Sequence, residues 1–211
     1  MTNRITAITP QKKNSRRYNI FIDGEYAFSI AADLALPLSP GDPLSEGPID
    51  ALKKADEARR AFEKALFYLR FRPRSKTETT RYLEKKEFGS RAIEETLKRL
   101  EHYQYIDDAS FAAFWVESRK NHRPKGLFAL RFELREKGID EAIIERALMQ
   151  YDEPEAAWRA VSPKLGGWRN LTRMELKVKI YNFLKRRGFA FETCEAVFAK
   201  AYEMIDDPHS R

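Results

Sequence analysis

Apolar and polar positions alternate with a strand period at the start of the chain and recur with a helical period after it. Ile5, Ala7 and Ile8 predict a first strand. Tyr18–Ile22 and Glu25–Ile30 flank Asp23-Gly24, a pair that tolerates the positive backbone angles of a tight two-residue turn, so this stretch predicts a hairpin. A lone hairpin is marginal in water, which requires a third strand from the N-terminus or packing against helices. Pro37, Pro40, Gly41, Pro43, Gly47 and Pro48 then predict an irregular linker between strands and helices.

From Pro48 onward the spacing of Ile49, Leu52, Ala55, Ala58, Phe62, Ala65, Leu66 and Leu69 predicts one long helix, or two with a break near Asp56. Pro48 suits its first turn. Beyond it, one pattern appears three times. Leu134-Arg-Glu-Lys-Gly138-Ile139 is echoed by Leu83-Glu-Lys-Lys-Glu-Phe88, 51 residues earlier, and by Leu184-Lys-Arg-Arg-Gly188-Phe189, 50 residues later. Each is the basic end of a helix, a turn, and an apolar anchor that starts the next helix. The correspondence continues through Ile93, Ile144 and Cys194, then Leu97, Leu148 and Phe198, then Leu100, Tyr151 and Ala201. Three copies of a three-helix unit follow, with helices over about 58–71, 76–86 and 90–103, then 109–121, 125–137 and 140–150, then 154–163, 173–187 and 192–205. Ser75-Lys-Thr-Glu78 and Thr172-Arg-Met-Glu175 fit capping boxes at matching helix starts. Asp107, Asp108 and Asp152 stand where helices begin and are expected to act as caps. The expected division is a β-rich domain and linker over 1–47 and helical repeats over 48–106, 107–151 and 152–211.

An apolar fraction of 43% predicts a folded core despite 34% charged residues, and 211 residues suffice for one large or two small domains. No apolar run is long enough to span a membrane, and the basic N-terminus lacks the apolar segment of a signal peptide, so a cytosolic protein is expected. The single cysteine, Cys194, excludes an internal disulfide; it shares its slot with Ile93 and Ile144 and is expected in the core. His102, His122 and His209 are scattered, and no phosphate-cradling loop or nucleophile elbow is present. Gly166-Gly167 predicts a flexible turn, and neither Asp107-Asp108 nor Asp206-Asp207 has a third carboxylate with which to hold Mg²⁺. No enzyme, cofactor or metal is expected.

Net charge of +7 points to a polyanionic partner, and its distribution says more. The middle helices are basic: residues 123–137 carry five positive and two negative side chains, and 173–187 carry six and one. The third helices are not, with one positive against three negative over both 140–151 and 190–205. A helix-turn-helix reader would put its cations on the helix after the turn, so operator recognition is disfavoured. The expected contact surface is instead the basic middle layer with its adjoining loops: Arg72, Arg74, Lys76, Arg119, Lys120, Arg123, Lys125, Arg131, Arg135, Lys137, Lys177, Lys185, Arg186 and Arg187. A solvated cationic face is the alternative.

Tyr68-Leu-x-Phe-Arg72-x-Arg-Ser75-x-x-Glu78, followed by Leu83, Phe88, Leu100-x-x-Tyr103-x-Tyr105-Ile-Asp-Asp108-x-x-Phe111-Ala112, Trp115 and Arg119, resembles the core signature of the RecX recombination regulators. Gly126-x-x-x-Leu130-x-x-Glu133-Leu134-x-x-Lys137-Gly138-Ile139 and Lys185-Arg-Arg-Gly188-Phe189 continue the resemblance, which covers about residues 55–205. It implies a mostly α fold, a curved elongated array of three-helix repeats with a small N-terminal hairpin domain. It also implies a non-enzymatic modulator that lies in the groove of the RecA filament on single-stranded DNA and limits ATP hydrolysis, strand exchange and co-protease activity. Two positions depart from the pattern: Phe71 replaces a small residue and Glu87 replaces the turn glycine. A stand-alone DNA-binding protein and a pure protein-interaction solenoid are the competing classes. A monomer is expected because stacked repeats bury their own faces.

Overall fold

The computed structural model describes residues 3–206; Asp207 and His209 lie outside them. Among the described residues are strands β1 (Ile5–Gln11), β2 (Asn14–Ile22) and β3 (Glu25–Ala31), and helices α1 (Ala32–Ala35), α2 (Glu46–Leu69), α3 (Lys76–Glu84), α4 (Ser90–His102), α5 (Asp108–Asn121), α6 (Leu127–Glu136), α7 (Glu141–Leu148), α8 (Glu153–Val161), α9 (Arg173–Lys185) and α10 (Phe191–Asp206). A 3₁₀ helix, Ser162–Trp168, replaces the flexible turn expected at Gly166-Gly167. The chain forms two compact units: residues 1–72 with 79–105, and residues 73–78 with 106–211.

In the first unit the strands form an antiparallel sheet of order β1-β2-β3. Asp23 and Gly24 both take positive φ, 49° and 89°, as the hairpin requires. Ile5, Ile20, Phe28 and Ile30 line the buried face with Leu44, and Ile49 and Leu52 of α2 pack against it. The proline-rich linker is tied to β1 rather than free of it. Ile5 N–H donates to Asp42 O (3.0 Å) and Leu44 N–H to Asn3 O (2.8 Å), because buried Leu44 draws the segment onto the sheet.

No break occurs at Asp56, and α2 runs continuously for 24 residues. The Asp56 carboxylate points away from its own helix: it accepts from Arg17 Nη1 and Nη2 (2.9 and 2.8 Å) and from the Ala31 N–H (2.9 Å). This ion pair is mostly buried and fastens sheet to helix. Further along, α2 packs on α4 with Ala61 and Ala65 fully buried. Glu57 caps α4 by accepting from the Gly89 N–H (2.8 Å), and Tyr68 stacks on Tyr82 of α3 at 4.1 Å.

The second unit holds two three-helix cores. Phe111, Val116, Leu130, Leu134, Ile139, Ile144 and Leu148 fill one; Val161, Leu176, Ile180, Leu184, Phe189, Cys194, Phe198 and others fill the next. Leu83, Leu134 and Leu184, the repeated leucines, are all completely buried. Cys194 is buried in the expected slot, and burial pushes its thiol pKa up.

The repeated turn has one geometry in all three places. Phe88, Ile139 and Phe189 N–H donate back to Leu83, Leu134 and Leu184 O at 3.3, 3.1 and 3.3 Å, the long bond of a Schellman ending. The residues between are left-handed, with φ of 62° at Glu87, 73° at Gly138 and 77° at Gly188. Glu87 thus holds the glycine's conformation, at a cost of about 1 kcal/mol for a residue with a Cβ. Asp107 and Asp152 cap α5 and α8 through backbone N–H groups, and the Thr172 capping box is complete. Asp140 caps α7 as well, a role the expected helix start at 140 did not isolate.

Candidate nucleic-acid interface

The second unit is assembled by its glycine turns. A Cβ on Gly138 would lie 2.1 Å from Thr77 Oγ1, and one on Gly188 would lie 2.5 Å from the Ala129 Cβ. Each turn therefore presses on the start of the middle helix of the preceding repeat. Ser75 Oγ donates to Lys137 O (2.7 Å) at the first joint, and Gly126 N–H donates to Arg187 O (2.9 Å) at the second. Residues 73–78 consequently belong to the second unit. The joints also place the basic residue before each glycine, Lys137 or Arg187, next to the loop of its neighbour.

At the first joint the cations are neutralised. Glu133 accepts from Trp115 Nε1 (2.9 Å), Arg119 Nε (2.8 Å) and Lys125 Nζ. Burial acts to raise the Glu133 pKa, but the hydrogen bonds from Lys125, Arg119 and Trp115 outweigh it and hold the carboxyl below its usual range. Lys137 Nζ donates to Glu78 (2.7 Å), and the Trp115 ring has Arg119 at 4.6 Å and Lys137 at 5.0 Å. Trp115, Glu133 and Glu78 were absent from the expected contact surface; all three stood in the family signature, though nothing in their spacing paired them.

The middle and third helices of the second repeat pair with one another. Arg131 reaches Glu145 (2.8 and 3.1 Å) and Arg135 reaches Glu141 (2.8 and 2.6 Å). The hydrogen bond from Arg135 lowers the Glu141 pKa, and that from Arg131 lowers the Glu145 pKa. The contrast between basic and acidic helices is, in part, internal complementarity. Lys120 and Lys177 make longer contacts, each 3.9 Å, with Glu117 and Glu195. Arg72 and Arg74 lie half-buried on either side of Pro73, and the Lys76 N–H donates to Asp108 (2.8 Å).

The second joint differs. Arg187 is half-buried, its guanidinium 4.4 Å from the Phe183 ring, with Nη1 donating to Pro124 O (3.3 Å). Burial first, then the charges of Arg123 and Arg186, lowers its pKa. Arg186 and Lys185 are exposed, as is Arg123, whose backbone is held at φ 63°. Among the described residues none of these four has an ion pair. Of the fourteen expected residues, Arg119, Lys120, Lys125, Arg131, Arg135, Lys137 and Lys177 have carboxylate partners, whereas Arg123, Lys185, Arg186 and Arg187 have no ion pair among the described residues.

Two exposed aromatics stand on α6, Phe128 at 77% and Phe132 at 60% of full exposure. Their signal was present: α6 is apolar at 127, 128, 130, 132 and 134, more than one buried face can use. No group of three His, Cys, Asp or Glu able to hold a metal occurs among the described residues. Nor is any helix among them long and apolar enough to cross a membrane.

Comparison with known proteins places this arrangement. The RecX N-terminal domain matches residues 3–38, the first RecX three-helix domain 61–100 and the second 107–148. The regulatory protein RecX of Bacillus pumilus is 37% identical over 94% of this chain and 78% of its own length; that of Bacillus subtilis is 37% identical over 96% and 79%. A crystal structure of regulatory protein RecX superposes with a TM-score of 0.69 at 31% identity, covering 97% of this chain and 99% of that one. RecX from Lactobacillus salivarius, at 23% identity and a TM-score of 0.62 over 70% of this chain and 97% of its own, shares the fold. These relatives carry the name of regulators, not of enzymes. With 37% identity sustained over at least 94% of this chain and 78% of each of these relatives, the protein belongs to the RecX family of regulatory proteins.

Proposed function

We propose that the protein regulates homologous recombination and DNA repair by binding the RecA filament on single-stranded DNA, in its groove, and shortening or blocking it. ATP hydrolysis, strand exchange and co-protease activity fall as a consequence, and the protein acts in the cytoplasm, as a monomer and without a cofactor. The observation that carries this reading is the cationic surface around Arg187, left uncompensated in a chain whose relatives are regulators. Charge of that kind gains by displacing counterions from a polyanion. The division into a β-rich domain over 1–47 and repeats over 48–106, 107–151 and 152–211 belongs to the same proposal.

The test adds the protein to preformed RecA filaments and follows ATPase rate and DNA coverage. A stoichiometric fall in both is expected; no change in either refutes the reading. A second reading, a DNA-binding protein that acts alone, is favoured by the exposed Phe128 and Phe132. It predicts tight, steeply salt-dependent binding to bare DNA with no dependence on the recombinase.

A further inference from the structure

Docking of the third repeat on the second brings together two cationic segments distant in sequence. The Gly126 N–H bond to Arg187 O and the Arg187 Nη1 bond to Pro124 O fix the 123–126 loop against the end of α9. The Phe183 ring backs the Arg187 guanidinium, so the side chain is positioned rather than free. Arg123 and Arg186 are near enough for their charges to act on it. Elsewhere in this unit the fold supplies a carboxylate for a cation at a joint, as Glu133 does for Arg119 and Lys125 and Glu78 does for Lys137. Here Lys125 of the loop is held by Glu133 and Glu153 accepts from the Leu127 N–H (2.7 Å), but among the described residues Arg123, Arg186 and Arg187 have no ion pair. Like charges held together, one of them partly out of water, repel; an anion between them reverses the sign of that interaction.

The chemistry of the neighbourhood selects the anion. Guanidinium forks match phosphate oxygens, and Arg187 retains donors beyond the one given to Pro124. Phe128 and Phe132 lie on the first two turns of the helix that leaves this joint, with rings open to solvent. Aromatic faces beside cations suit a strand whose bases are unstacked, since every base offers a face to stack on. We propose that Arg123, Arg186 and Arg187 form a phosphate-binding site for the backbone of single-stranded nucleic acid, with Phe128 and Phe132 as base-stacking surfaces. The proposal starts from the reading above, a regulator working on a nucleoprotein filament, and assigns its direct contact with the nucleic acid. It also removes Arg131 and Arg135 from that contact, because Glu145 and Glu141 already hold them.

The experiment measures binding of labelled oligothymidine to the full chain across a salt series, beside RecA ATPase on the same oligonucleotide. The double substitution R123A/R186A alters exposed side chains, and its circular dichroism and melting confirm folding before binding is read. Each lost phosphate contact makes the slope of log K against log salt shallower by about 0.7, so a change of about 1.4 is expected. R131A/R135A leaves the slope unchanged, and F128A weakens binding roughly tenfold. An unchanged slope in R123A/R186A overturns the site, as does failure of the wild type to bind oligothymidine at low salt. Loss of ATPase suppression in R123A/R186A with oligothymidine binding intact overturns it too, and assigns the arginines to an acidic protein surface. If the wild type binds with the expected slopes yet leaves RecA ATPase unaffected, the phosphate site stands and the filament reading fails.

Discussion

Replacing Gly126 by alanine tests the joint that builds the cationic site. Gly126 has φ −75°, which any residue adopts, so backbone strain plays no part. A Cβ there would lie 2.1 Å from Gly188 O and 2.4 Å from the Gly188 carbonyl carbon and the Phe189 Cα. All three are backbone atoms of the docked turn, and no rotamer change relieves them. Relief requires the third repeat's turn to retreat, breaking the Gly126 N–H bond to Arg187 O. Overpacking of this kind costs typically about 1–3 kcal/mol, and a backbone obstacle puts G126A near 3 kcal/mol. Part of that, up to about 1 kcal/mol, would come from alanine being a poor N-cap. G126S separates the two, because serine restores the cap without restoring the space. Both variants should lower the urea midpoint, and hydrogen exchange should quicken roughly a hundredfold at amides of 123–130 and 186–190, the factor that about 3 kcal/mol implies. G24A is the counterpart: Gly24 is at φ 89° with nothing within 4 Å of a Cβ, so it should cost only about 1 kcal/mol of strain and leave the joint unaffected. Wild-type stability and protection in G126A would refute the docking argument; a normal G126S beside a weakened G126A would reduce it to a capping effect.

Two further outcomes follow from buried charge. E133Q removes the carboxylate shared by Arg119, Lys125 and Trp115 and should destabilise by about 2 kcal/mol at pH 7, discounted because its partners are nearly a third exposed. The folded Glu133 pKa is depressed, so its contribution is complete above the unfolded carboxyl value of about 4.3 and is lost as pH falls through the folded one. The gap between wild type and E133Q in thermal melts should therefore close on acidification; a gap that widens contradicts the network. D56A leaves Arg17 and the Ala31 N–H without their acceptor and should cost about 3–4 kcal/mol, read in urea denaturation and in exchange of the Ala31 amide. A change below about 0.5 kcal/mol would mean the pair does not fasten the sheet to α2.

Much of this fold is a matter of local chemistry, and the sequence by itself determined it. The hairpin at Asp23-Gly24, the caps at Asp107, Asp152 and Thr172 and the three Schellman turns each depend on groups within five residues of one another. A residue's neighbours along the chain fix those interactions whatever the rest does. The core slots followed as well, because a three-fold repeat makes every buried position appear three times: Leu83, Leu134 and Leu184 could only be interior. Even Glu87, which broke the glycine pattern, took the left-handed conformation its two counterparts have, since the flanking Leu83 and Phe88 anchors impose it.

The fate of the cations was decided by tertiary structure alone. Counting charges per helix could not separate Arg131 and Arg135, which face the acidic helix of their own repeat, from Arg186 and Arg187, which do not. The partners that matter are far along the chain: Lys137 and Glu78 are 59 residues apart, Arg187 and Pro124 are 63. Periodicity reports which face of a helix is buried, because burial depends on the average surroundings. Ion pairing depends on the rotation and offset of one helix against another, and here the glycine turns set that. Where the turn of the second repeat docks, Glu78 stands ready to receive Lys137. At the next joint the same turn meets Pro124 and Gly126, which offer a carbonyl and an amide but no carboxylate, and Arg187 is left without an ion pair.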